Sequence, residues 1–284
     1  MRLPDFLIIG AMKAGTTTLY RDLLTHPRVF FPLDKEPNNL TRERVLEDAG
    51  RSEYAALFKD AGPDQLCGEA STAYTKRPTF EGVPARAASL LGEGVRVVYL
   101  MREPVARARS HHRHMRHFGE CETDDLAHAI ERHPELIAYS RYAMQLEPWL
   151  GALGPGRVLA LEMEAYTADR ASTVARVQSF LGLDPRPGLV EVDKVYNQAD
   201  GKPVIQGRWR KFQQSGPYRK LIRPLLGVET RAKLRETLLP KASGGHSEVD
   251  SAVERAIRGA IADDQRRLRE LLGNGAPSWC HADG

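Results

Sequence analysis

Phe6-Leu7-Ile8-Ile9-Gly10-Ala11-Met12-Lys13-Ala14-Gly15-Thr16-Thr17-Thr18-Leu19 decides how this chain folds. The apolar run from Phe6 to Ile9 is short and lacks polar alternation, the pattern of a strand buried on both faces. It stops at Gly10, and beyond a loop Leu19, Leu23 and Leu24 recur at helical spacing. The reading is strand, loop, helix. The loop has the glycine spacing of a phosphate cradle, in which small residues let backbone N–H groups approach an anion at a helix N-terminus.

The same alternation continues outward. Val95 to Met101 is a β-branched run suited to a buried parallel strand, and Pro104 then opens a helix that runs to about Phe118 and ends at Gly119. Leu66 to Gly68 is a weaker strand signal, and Val158 to Leu161 a further one. Val174, Val177, Phe180 and Leu181 mark a helix face that stops at Gly182. Near the end, Ser251 and Glu254 form a capping box, followed by a stripe of Val253, Ile257, Ile261, Leu268 and Leu272 before Gly273. Asn197 to Gln206 reads as an irregular polar loop. Strands alternating with helices predict an α/β fold with a central parallel sheet flanked by helices, its ligands bound beyond the carboxyl ends of the strands.

With 284 residues, 42% hydrophobic and 27% charged, and no Gly/Ser or Pro-rich linker, residues 1–284 are expected to form a single domain with a sizeable core. The formal charge of 41 − 37 = +4 suits an anionic ligand but is too small to point to nucleic acid. Cys67, Cys121 and Cys280 are odd in number and far apart, so they predict neither a disulfide framework nor a CxxC metal site. The first apolar run is well below the roughly 20 residues of a membrane span and has no signal-peptide flanks. These features predict a cytoplasmic protein without a membrane span.

The chemistry is local. In the nucleotide hydrolase pattern GxxxxGK[ST] a lysine follows the second glycine, whereas here Thr16 stands there and the lysine has moved forward to Lys13. This argues against an Mg²⁺-nucleotide kinase, because the lysine for the terminal phosphates is absent from its place. A second anion site follows the best strand in Met101-Arg102-Glu103-Pro104-Val105-Ala106-Arg107-Ala108-Arg109-Ser110. Arg102 is placed at a strand's carboxyl end and Ser110 two turns into the next helix, where a guanidinium fork and a hydroxyl converge on one anion. The remaining Arg107, Arg109, Arg113, Arg116, His111, His112, His114 and His117 read as a solvated basic face. No HExxH-type pattern accompanies the histidines, so no metal site is assigned.

These two motifs resemble those of the sulfotransferases that use 3′-phosphoadenosine 5′-phosphosulfate (PAPS), in particular the carbohydrate and bacterial small-molecule branches. The resemblance implies a P-loop-like three-layer fold. It also implies that Lys13 contacts the sulfonate and bridging oxygen, that the loop Ala14, Gly15, Thr16, Thr17 and Thr18 cradles the 5′-phosphate, and that Arg102 and Ser110 bind the 3′-phosphate. Pro32-Leu33-Asp34-Lys35-Glu36-Pro37-Asn38-Asn39 is similar to the family's Lys-Glu segment and makes Glu36 the general base, with Lys35 beside it. Sulfonyl transfer to a hydroxyl needs such an acceptor for the departing proton. Gly68-Glu69-Ala70-Ser71-Thr72-Ala73-Tyr74 resembles a segment on the acceptor side, with Ala70 where heparan-type members carry lysine. Glu69 is read as a structural or hydrogen-bonding residue. Tyr196 to Pro203 resembles a late loop near the cofactor and makes Lys202 a weaker ligand, Val204 replacing the usual arginine.

The function expected from the sequence is transfer of a sulfonyl group from PAPS, without a metal, to a small-molecule, sugar or nucleoside hydroxyl, in natural product biosynthesis among other settings. The rivals are a P-loop kinase of a small hydroxyl substrate and a noncatalytic anion- or nucleic-acid-binding protein. Acceptor identity, O- against N-sulfation and oligomeric state are not legible in the sequence.

Overall fold

The computed structural model describes residues 1–192 and 251–281. Five strands form one sheet: β1 (Phe6–Gly10), β2 (Val29–Phe30), β3 (Leu66–Ala70), β4 (Arg96–Met101) and β5 (Val158–Glu162), in the order β2-β3-β1-β4-β5. Every pairing is parallel. β1 is central, and Phe6, Leu7, Ile8 and Ile9 are all buried. That is why the opening run has no polar alternation: helices cover both faces of a parallel sheet, so both sets of side chains meet apolar neighbours.

Helices α1 (Thr16–Leu24), α2 (Asp48–Ala56), α3 (Val83–Leu91), α4 (Pro104–Phe118), α5 (Leu126–Arg132), α6 (Glu135–Ala138) and α7 (Tyr142–Leu153) precede β5; α8 (Met163–Ala168) and α9 (Arg170–Phe180) follow it. After the residues outside the described set, α10 (Ser251–Leu272) packs against α7 and α4. The expected strands at Phe6, Val95 and Val158 and the helix at Pro104 are present with small changes at their ends.

Local chemistry explains those ends. Pro104 starts α4 where its missing N–H has no helical partner to lose, and the Glu103 side chain accepts from the Ala106 amide at 2.7 Å. Gly119, at φ 71, closes the helix by donating to the Arg116 carbonyl. The Lys202 expectation and the loop 197–206 lie outside the described residues.

Cys67, Cys121 and Cys280 are buried free thiols. Among the described residues no helix is long and apolar enough to cross a membrane. Nor do they contain a group of three or more His, Cys, Asp or Glu side chains disposed to hold a metal ion.

Candidate active site

The carboxyl edge of the sheet carries the candidate residues. After β1 the chain turns through Ala11 to Gly15, anchored where the Ala11 amide donates to the Leu100 carbonyl of β4 at 2.6 Å. Gly10 permits the tight exit: a Cβ there would stand 2.0 Å from Thr75 Oγ1, and its φ is +149°. Gly15 caps α1 at φ 85, a left-handed conformation that glycine adopts without a Cβ penalty. α1 follows directly from this loop, with the Gly15 carbonyl accepting from the Thr18 and Leu19 amides at 3.0 and 3.2 Å, and a helix N-terminus is the end whose dipole favours an anion. Ala14 and Thr16 are buried, and Lys13, Gly15, Thr17 and Thr18 are half-buried at the mouth.

Arg102 leaves the end of β4 and turns toward this loop. Its Nη1 donates to the Lys13 carbonyl at 3.2 Å. The backbone of Arg102 is held by Tyr142, whose hydroxyl donates to the Arg102 carbonyl at 2.7 Å and receives its amide at 3.3 Å. Burial pushes the Arg102 guanidinium down from its ordinary value, and the Glu164 carboxylate opposes this. Ser110 is buried on α4.

Glu36 occupies the other side of β1. Its amide donates to the carbonyl of Ala70 at the end of β3, so it stands at the same sheet edge as the glycine loop. One carboxylate oxygen takes the Lys35 ammonium at 2.8 Å and the other accepts from the Thr72 hydroxyl at 3.1 Å. Among the described residues, Lys13, Glu36 and Asn38 are the non-glycine residues with positive φ, at 70°, 64° and 58°. Each costs of order 1–3 kcal/mol and persists because its surroundings over-determine it; such residues cluster at functional sites.

The basic helix departs from expectation. Arg107, His111 and His112 are buried, so α4 does not present these residues to solvent. Arg107 donates to Ser140 Oγ and to the Leu136 carbonyl, each at 2.5 Å, and the His111 ring stacks on Tyr139 at 5.7 Å between centroids. A guanidinium can be buried where its fork finds oxygen acceptors. Burial, with the Arg107 charge beside it, pushes His111 down to about 2, so its imidazole is neutral.

Lys76, which the sequence did not single out, interacts electrostatically with Glu36. It ends the 3₁₀ turn Thr72–Thr75, whose first hydroxyl bonds Glu36 and whose last bonds the Ile9 carbonyl at 2.8 Å. Burial pushes its ammonium down, while Glu36 and Glu120 push it up. Only the tertiary placement of the turn reveals it.

A family model described as the sulfotransferase domain matches residues 3–199. The chain belongs to the PAPS-dependent sulfotransferase family. It is 29% identical over 203 residues to a mouse (Mus musculus) bifunctional heparan sulfate N-deacetylase/N-sulfotransferase 4, covering 64% of this chain and 23% of that protein. It is 28% identical over 230 residues to the mouse heparan sulfate glucosamine 3-O-sulfotransferase 3B1, covering 72% of this chain and 52% of the relative. This sulfotransferase-family chain thus spans about a quarter to about half the length of these curated relatives.

Among solved structures, a sulfotransferase from Alicyclobacillus acidocaldarius superposes with a TM-score of 0.64 at 21% identity, covering 95% of this chain and 96% of that one. The mouse sulfotransferase SULT7A1, solved complexed with PAP, gives a TM-score of 0.56 at 14% identity, with 99% and 90% covered. These likenesses establish the sulfotransferase fold that the glycine loop and the parallel sheet predict.

Proposed function

We propose that this chain transfers a sulfonyl group from PAPS to a hydroxyl of a small-molecule, sugar or nucleoside acceptor, with Glu36 as general base. The observation that carries the reading is the bond from Arg102 Nη1 to the Lys13 carbonyl, which sets the two anion motifs side by side at one sheet edge. A donor with phosphate groups at its 3′ and 5′ positions needs two such grips. Lys13 and the α1 amides receive the 5′-phosphosulfate, and Arg102 with Ser110 receives the 3′-phosphate; Lys202 is proposed as an additional ligand.

Glu36 takes the acceptor's hydroxyl proton as the acceptor oxygen attacks sulfur in line. The bond between sulfur and the bridging phosphate oxygen breaks, and that oxygen keeps the electron pair as adenosine 3′,5′-bisphosphate forms. Lys13 and the amides at the start of α1 face the charge as it grows there, the place where preorganised donors lower the barrier.

Calorimetry tests the donor half: adenosine 3′,5′-bisphosphate should bind in preference to Mg²⁺-ATP or duplex DNA. Preference for Mg²⁺-ATP would replace the reading with a kinase, and salt-sensitive binding to DNA alone with a noncatalytic protein. Mass spectrometry of metabolites incubated with PAPS should show a sulfonate mass gain on the acceptor. Glu36→Gln should then lower kcat by about 10²- to 10⁴-fold with donor affinity unchanged. Normal turnover by this variant with transfer rate-limiting would remove Glu36 as the base.

A further inference from the structure

Glu69, on β3, is fully buried and plays no part in the chemistry above. Its Oε1 accepts from the Ser71 hydroxyl at 2.5 Å and from the Tyr74 hydroxyl at 2.5 Å, and its Oε2 accepts from the Tyr54 hydroxyl. Two of these hydroxyls also bind the segment that carries Glu36. Ser71 Oγ accepts from the Asn38 amide at 3.2 Å, and the Tyr74 hydroxyl oxygen accepts from the Leu40 amide at 3.1 Å.

The polarity of this relay is fixed. A backbone N–H only donates, so each hydroxyl oxygen is used as an acceptor and its one proton points onward to the carboxylate. Burial raises the Glu69 carboxyl, while the hydroxyl bonds from Ser71, Tyr54 and Tyr74 oppose that rise. The segment so held contains two left-handed non-glycine residues, Glu36 and Asn38, with the Asn38 side-chain amide donating to the Glu36 carbonyl at 2.7 Å. Such a conformation needs external fixing.

We propose that Glu69 is the positioning residue for Glu36: acting through Ser71 and Tyr74, its carboxylate fixes the Asn38 and Leu40 amides and so fixes where the Glu36 carboxylate points. The inference rests on the reading of Glu36 as general base. It separates from a purely structural role because its effect must pass through Glu36.

The test uses the full chain with PAPS and water as the acceptor. Water oxygen bonds to sulfur, the bridging S–O bond breaks, a water proton passes to Glu36, and sulfate and adenosine 3′,5′-bisphosphate are released. Ser71→Ala/Tyr74→Phe should slow this hydrolysis at saturating PAPS about tenfold or more, leave the bisphosphate Kd within about twofold, and speed amide hydrogen exchange at Asn38 and Leu40. In a Glu36→Gln background the same pair should slow it no further, because the group they position is gone. Ser71→Thr, which keeps the hydroxyl, should retain the wild-type rate.

Equal slowing in both backgrounds, or unchanged exchange at Asn38 and Leu40, overturns the proposal. Glu36→Gln without effect on hydrolysis overturns the base reading instead, and the exchange data still report whether the relay holds the loop. Glu69→Gln should move every readout in the same direction as the double variant. The hydroxyl variants decide the matter should that protein not fold.

Discussion

Lys13 and Arg102 touch through a backbone carbonyl, yet the proposed function gives their side chains different parts of the donor, and the two substitutions should separate. With Lys13 in its proposed role beside charge that appears only in the transition state, Lys13→Ala should depress kcat strongly, whereas Arg102→Ala should chiefly weaken bisphosphate affinity. Steady-state kinetics and calorimetry check the split. His111 makes a prediction about pH. The folded protein keeps this imidazole neutral to about pH 2, whereas the unfolded chain protonates it below about 6.5. The unfolded state therefore holds the extra proton between those values, and stability falls as pH drops through that window, by at most about 1.4 kcal/mol per unit. His111→Gln, which keeps an acceptor for Arg107, should flatten the fall in thermal midpoint below pH 6.5.

At the scale of elements, α4 is held from inside by a cation. Arg107→Lys keeps the charge, but a single ammonium cannot reach both Ser140 Oγ and the Leu136 carbonyl as the fork does. The variant should lose about 2 to 3 kcal/mol in urea unfolding. A solvated Arg107 would leave the midpoint unchanged. This helix also shows what was legible in the sequence and what was not. Its ends were legible because Pro104 and Gly119 act within one turn of themselves. Its buried face was not: Arg107 is satisfied by Ser140, 33 residues away, and charge alone argues for solvent. The same contrast divides the site. Lys13, Gly15 and Arg102 sit in local patterns at strand ends, while the bonds of Ser71 and Tyr74 with the Glu36 segment and the place of Lys76 exist only once β3 lies between β2 and β1.

For the whole molecule, α10 joins a distant part of the chain to α7 and α4. The Asp264 carboxylate on α10 accepts from the Ala143 and Met144 amides at 3.0 and 2.9 Å, capping α7 from a distant part of the chain. Asp264→Ala should cost about 1 to 2 kcal/mol in a thermal melt, the size of a lost N-cap. Beyond α10, the Trp279 ring lies 5.6 Å from that of Tyr142, the residue that holds the Arg102 backbone, so Trp279 supports that contact from the far end of the described residues. The sheet order adds one more consequence. With β2 and β3 to one side of β1 and β4 and β5 to the other, the segments bearing Glu36, Glu69 and Lys76 belong to one flank, and Arg102 and Ser110 to the opposite one. On the proposed roles, a chimaera that exchanges the first flank with a relative's should shift acceptor preference and keep bisphosphate affinity, provided the bonds from Arg77 to Gln145 and to the Met144 carbonyl, which stitch the two flanks together, are retained.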